Sequence, residues 1–210
     1  MPSLKDELEK AMKNGYERSH RKTEFISHEV LKGPIDSNKL QQSLRKDFRK
    51  VYSRNASNTD LQKLVSYVRK FATKLYAVLL LVDKSERIIQ LLQSNPPITD
   101  EIFDAIENDF GPFCHQSYLQ NSQHFEDVAD DFFEKQWCIP PIFNDKSHQR
   151  FPVTHLRFPF ICEPKPYPEQ GSWGVVSRVT VATGHLKTAY HVPVSFKQSL
   201  PRMIWFWARS

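Results

Sequence analysis

Residues 169 to 182 read EQGSWGVVSRVTVA, with Gly171 and Gly174 bracketing Ser172 and Trp173 ahead of valines at 175, 176, 179 and 181. Glycines at this spacing let backbone N–H groups come close to an anion, so the stretch suits a loop laid over phosphate between two strands. It also suits a plain β-hairpin whose turn needs glycine. Other chemistry is sparse. Cys114-His115, His124 and Cys138 are the one cluster worth testing for a metal, and their spacings match no zinc pattern. No G-x-S-x-G occurs, and no Cys or Ser has a visible partner arrangement for nucleophilic catalysis.

The elements that must position these residues fall into two textures. The chain has 210 residues with 40% hydrophobic and 25% charged, an ordinary globular composition. All prolines but Pro2 and Pro34 lie after residue 95. Up to residue 137 the pattern is helical. Leu4, Leu8, Met12 and Tyr16 recur every four residues behind Ser3 and Asp6, a cap and its partner. Gly33-Pro34 predicts a break, and Leu40, Leu44, Phe48, Val51 and Tyr52 a second helical face. The stripe from Leu61 through Phe71 to Leu75 predicts one long helix whose end, apolar on all sides to Val82, is buried all round. A short helix at Ile88–Leu92 ends before Pro96-Pro97, Thr99 opens another, and Phe125, Val128, Phe132 and Phe133 line a last one ending near Trp137.

Net charge is +5, unevenly spread. Residues 1 to 54 are basic, with Arg45, Lys46, Arg49 and Lys50 close together, and residues 97 to 137 are acidic, with Lys135 their one cation. The basic third raises nucleic-acid binding as the lowest-ranked reading, since no nucleic-acid motif accompanies it. The N-terminus has no apolar core of a signal peptide, and the longest apolar run, residues 76 to 82, is too short to span a bilayer. Three widely spaced cysteines argue against a disulfide framework. The expectation is therefore an intracellular protein, cytoplasmic or nuclear. Asn55-Ala56-Ser57 fits a glycosylation acceptor but nothing else points to secretion.

After Trp137 the chain is proline-rich. Leu156, Phe158, Phe160 and Cys162 alternate as in an edge strand, residues 175 to 181 predict a second strand, and 191 to 200 a third, with Val192, Val194 and Phe196 at period two. The layout of strand, glycine loop, strand, connection and strand resembles the opening of a protein kinase N-lobe. Gly171-Ser172-Trp173-Gly174-Val175-Val176 is similar to the second half of G-x-G-x-x-G-x-V, and Val194-Ser195-Phe196-Lys197 resembles the V-A-I-K strand. With the helical leader, the F-x-x-x-Q-W helix end, I-P-P-I-F and L-R-F-P-F-I, the chain resembles one lineage of fungal protein-kinase-like proteins with a helical N-terminal extension.

The resemblance implies an α+β fold. It comprises an α-helical domain over 1–137, a Pro-rich linker over 138–154, a partial kinase N-lobe over 155–200 with strands 1–3 and the glycine loop, and a divergent tail over 201–210. It implies ATP as cofactor, held by Gly171, Ser172, Trp173, Gly174 and Val176, with Lys197 on the phosphates, and a family activity of ATP-dependent Ser/Thr phosphorylation. No metal site is identified. The sequence departs from that pattern at Glu169, where a carboxylate replaces the first glycine and opposes phosphate. The 13 residues after Lys197 contain no H-R-D or D-F-G, so the expectation is a truncated and inactive kinase-like chain without catalytic residues. The alternative is a non-catalytic helical module that binds another protein. ATP binding is expected no tighter than roughly millimolar, about −4 kcal/mol. Titration calorimetry with ATP and magnesium should show no difference between wild type and Lys197→Ala, whereas micromolar binding lost in the variant would contradict this.

Overall fold

The computed structural model describes residues 2–18, 24–36, 38–101 and 119–140, with the side chains of all but 18 and 36. It also describes the backbone of 143–144, 165–166, 175–181, 186–187 and 202–208. Among the described residues seven α-helices occur: α1 (Leu4–Arg18), α2 (His28–Asp36), α3 (Asn38–Tyr52), α4 (Asn58–Phe71), α5 (Thr73–Leu81), α6 (Ile88–Gln93) and α7 (Ala129–Gln136). A single 3-10 turn, Ser85–Arg87, leads into α6.

Local chemistry sets most helix ends. Ser3 and Asp6 form a reciprocal box at the start of α1: Asp6 N–H donates to Ser3 Oγ (3.2 Å) and Ser3 N–H to Asp6 Oδ2 (2.6 Å). Ser57 caps α4 by accepting from Asp60 N–H at 3.1 Å. Asn55, two residues earlier, accepts two hydrogen bonds from the Arg49 guanidinium through Oδ1. The Asn-Ala-Ser triplet is thus a helix-connecting turn with its polar groups in use. Ser53 ends α3 at φ 53° and Asp83 follows α5 at φ 59°. Beyond α5, Asp83 N–H reaches Leu80 O and Lys84 N–H reaches Leu79 O, the paired bonds of a Schellman ending.

The predicted break at Gly33-Pro34 is absent, because α2 runs through Pro34 to Asp36. Leu31 and Ile35 on either side are buried, and their packing outweighs the hydrogen bond that proline cannot make. The predicted long helix from Leu61 is instead broken at Ala72, whose φ is −140°. Ala72 has no side-chain oxygen to cap α5, and a residue far along the chain supplies one. Asp100 accepts from Lys74 N–H and Leu75 N–H, each at 2.9 Å, and its own N–H donates to Phe71 O at 2.6 Å. One carboxylate therefore caps α5 from outside and clamps the α4–α5 junction. Asp100→Ala should cost roughly 1–2 kcal/mol of stability, read from denaturant midpoints; an unchanged midpoint would show that the clamp carries no weight.

The core forms around α5. Every residue from Lys74 to Leu81 is buried, so the helix is wrapped on all sides. Leu8 of α1, Leu31 and Ile35 of α2, Leu44 of α3, Leu61 and Val68 of α4, Ile88 of α6 and Phe132 of α7 all belong to this one cluster. Each such side chain contributes roughly 1.5–3 kcal/mol. The connecting segment between α1 and α2, Phe25-Ile26, is pinned across Gly15 and bonds to the far end of the unit through Ile26 N–H to Cys138 O (2.7 Å). Tyr16 and Phe71, expected inside, are 43% and 53% exposed.

The α+β class expected from the sequence is corrected by this packing. The described core is all-α, it is built from residues between Leu4 and Ile139, and no strand contributes a described side chain to it. Beyond Pro140 only short backbone pairings are described. Val175–Val181 runs antiparallel to Arg202–Ala208, with Val175 opposite Ala208, and Lys165–Pro166 pairs with Arg178 and Ser177. The segment 191–200, where a third strand was expected, lies outside the described residues.

Candidate functional site

Helices α3 and α4 form an antiparallel hairpin joined by residues 53–57, and their inner faces differ from their outer ones. Leu40, Leu44 and Phe48 from α3 meet Leu61, Leu64 and Val68 from α4 inside the core. One quarter-turn outward, Asn38 and Gln41 of α3 face Gln62, Ser66, Arg69 and Lys70 of α4 across a cleft of about 400 Å³, with Val65 in its wall. The helical repeat brings these residues into line: 62, 65, 66 and 69 follow the three- and four-residue spacing of a single face. The carboxamides of Asn38, Gln41 and Gln62 are exposed, and each can both donate and accept a hydrogen bond. A partner backbone needs that pair of functions.

A second polar cluster is buried. Asp47, on the inner face of α3 and 2% exposed, accepts from Tyr76 Oη of α5 and from Ser85 Oγ of the 3-10 turn, both at 2.7 Å. Tyr76 Oη also lies 3.0 Å from Ser43 Oγ. Burial pushes the Asp47 carboxyl above the usual carboxylate range, against the pull of the two hydroxyl donors. Burial, with the nearby Asp47 charge, likewise holds the Tyr76 phenol well above its ordinary value. The cluster ties three elements together and is separate from the cleft lining, so its chemistry is that of a strut. Near the Asp100 clamp, burial raises the Tyr67 phenol to about 12, and its hydroxyl donates to Ile98 O.

Ion pairs within and between elements occur elsewhere in the unit. Lys5 bridges Glu9 and Asp83, Lys39 meets Glu7, Lys50 meets Glu86, and Lys84 and Arg87 share Asp127. None of these pairs uses a residue of the cleft lining.

Of the residues predicted to hold nucleotide, Gly171, Ser172, Trp173, Gly174 and Lys197 lie outside the described residues. Val176 is in the backbone ladder opposite Trp207. Of the sulfur and imidazole cluster, Cys114 and His115 also lie outside, His124 is half-buried, and Cys138 is a buried free thiol. No group of three or more His, Cys, Asp or Glu placed to hold a metal occurs among the described residues. The cleft was missed in the sequence because its residues are ordinary polar ones. The available signal was the polar repeat Gln62, Ser66, Arg69 running beside the apolar stripe of α4.

Comparison with protein-family models, with curated proteins and with solved structures returned no match. No helix among the described residues is long and apolar enough to cross a membrane.

Proposed function

We propose that the chain is a non-catalytic binding module for another protein and that the α3–α4 cleft is its recognition face. One observation supports this reading above others: the hairpin buries Leu40, Leu44, Phe48, Leu61, Leu64 and Val68 in the core while leaving an open cleft lined by three amides on the outside. Exposed carboxamides that bond equally well to donors and acceptors suit a peptide chain, and a cleft of this size admits one or two side chains. The packed core behind it holds the two helices rigid, which lowers the entropic cost of binding. The test is to fill the cleft. Affinity-tagged full-length wild type, Ser66→Trp and, as a control on another face, Lys13→Glu are purified from the native cell and their associated proteins quantified. The module reading expects proteins that are lost with Ser66→Trp and kept with Lys13→Glu. An unchanged set across all three overturns it.

A kinase-derived origin is a second, compatible reading, carried by the Gly171-Ser172-Trp173-Gly174-Val175-Val176 loop and Lys197. In it the helical unit is the N-terminal extension of a protein-kinase-like chain, and ATP is the weak ligand of that loop. Its test is the ATP titration with Lys197→Ala. An intracellular setting, cytoplasmic or nuclear, fits both readings and the free thiol of Cys138.

A further inference from the structure

The chain bends between α4 and α5 although residues 58–81 contain no glycine or proline. Ala72, the residue at the bend, is of the best helix-forming type. Its φ of −140° and ψ of 32° are held from outside the two helices. Asp100 accepts from Lys74 N–H and Leu75 N–H, each at 2.9 Å, and donates its own N–H to Phe71 O at 2.6 Å. Thr73 Oγ1 adds bonds to Val68 O (3.0 Å) and Arg69 O (3.3 Å). In an unbroken helix the N–H groups of Lys74 and Leu75 would bond to the carbonyls of Lys70 and Phe71 and would not need Asp100. The backbone here can therefore be satisfied bent or straight.

Straightening within one copy would pull α5 out of the core, where it packs against α1 and α2 as well as α4. Between two copies it loses nothing. The contacts that bind the two halves join residues on opposite sides of position 72: Lys5 with Asp83, Lys50 with Glu86, Asp47 with Tyr76 and Ser85, and Ile26 with Cys138. Each can be remade unchanged with the second half of another copy. We propose that Ala72 is a hinge for exchange between two copies of this chain, and that Asp100 is the latch that keeps the chain monomeric. With the latch released, residues 58–81 run as one helix, and the elements before the hinge in each copy pack on those after it in the other. The α3–α4 cleft lies wholly before the hinge and is kept in both forms, so this inference stands or falls separately from the module reading.

The experiment refolds purified full-length chain from denaturant at high protein concentration and reads its mass by size-exclusion chromatography with light scattering. Asp100→Ala should raise the ratio of dimer to monomer by about tenfold or more over wild type, the shift that loss of one helix cap corresponds to. That dimer should persist on dilution and return to monomer only after unfolding and refolding at low concentration. Adding Ala72→Gly to Asp100→Ala should bring the dimer back to the wild-type level, because glycine disfavours the straight helix. A dimer held by surface contacts would be indifferent to position 72. Asp100→Ala that stays monomeric, or a dimer that Ala72→Gly leaves untouched, overturns the proposal. Should Asp100→Ala fail to fold, Thr73→Ala decides with the latch in place. It removes a β-branched side chain and its bonds to Val68 O and Arg69 O, so more dimer than wild type supports the hinge and an equal amount overturns it.

Discussion

Gly15→Ala is expected to destabilise the protein by about 3 kcal/mol, although alanine is the better helix former. Gly15 lies inside α1, where exchange to alanine would ordinarily help by up to about 1 kcal/mol. Here an added Cβ would stand 1.8 Å from the carbonyl oxygen of Phe25 and 2.9 Å from its carbonyl carbon. Both are backbone atoms, so no rotamer change relieves the clash. The Phe25-Ile26 segment cannot retreat cheaply either, since Phe25 is 2% exposed, Ile26 is fully buried, and Ile26 N–H is bonded to Cys138 O. For a chain of this length the loss corresponds to a fall in melting temperature of about 10 °C. Gly33 supplies the internal control: a Cβ there meets nothing within 4 Å, so Gly33→Ala should be neutral or slightly stabilising. If thermal unfolding shows the two variants alike, the packing of the 24–27 segment on α1 is wrong.

Asp47→Ala should cost a similar amount, about 3 kcal/mol, because it leaves the buried Tyr76 and Ser85 hydroxyls without their acceptor. Replacing all three groups together, as Asp47→Leu with Tyr76→Phe and Ser85→Ala, should recover most of that loss, since no stranded donor then remains. The wild-type carboxyl also predicts a pH dependence. Its folded-state pKa is raised above the ordinary 3.8, so folding favours the protonated form. Its contribution is complete below the unfolded pKa and is lost as pH rises through the folded value. The stability difference between wild type and Asp47→Asn should therefore move against the wild type as pH increases above about 4. Urea midpoints across that range check the sign, and a difference that moves toward the wild type would show that the hydroxyl donors, and not burial, dominate the carboxyl.

Periodicity made the helical unit legible. The Leu4-Leu8-Met12 spacing, the Ser3–Asp6 box, the all-round apolar run after Leu75 and the Phe125–Phe133 face are local signals, and local signals dictate where helices begin and which side they bury. What could not be read were effects from distant residues. The break at Ala72 depends on a carboxylate at Asp100, and the survival of α2 through Pro34 depends on burial of Leu31 and Ile35 by other helices. Asp47 sits in the basic run of α3, and its place on the buried face beside Leu44 and Phe48, next to Tyr76, takes it inside. The candidate site was harder still. Sequence drew attention to Gly171, Gly174 and Lys197 because glycine spacing is conspicuous, while a cleft made of glutamine, asparagine and serine leaves no motif.

The central claim is that the helical hairpin, not the glycine loop, is where this chain meets its partner. A photo-crosslinking amino acid placed in full-length protein at Gln62, in the cleft, and in a separate variant at Trp173, in the loop, tests it in the native cell. The account predicts a discrete protein adduct from position 62 that Ser66→Trp abolishes, with no such adduct from position 173. A protein adduct from position 173 with none from position 62 would contradict it.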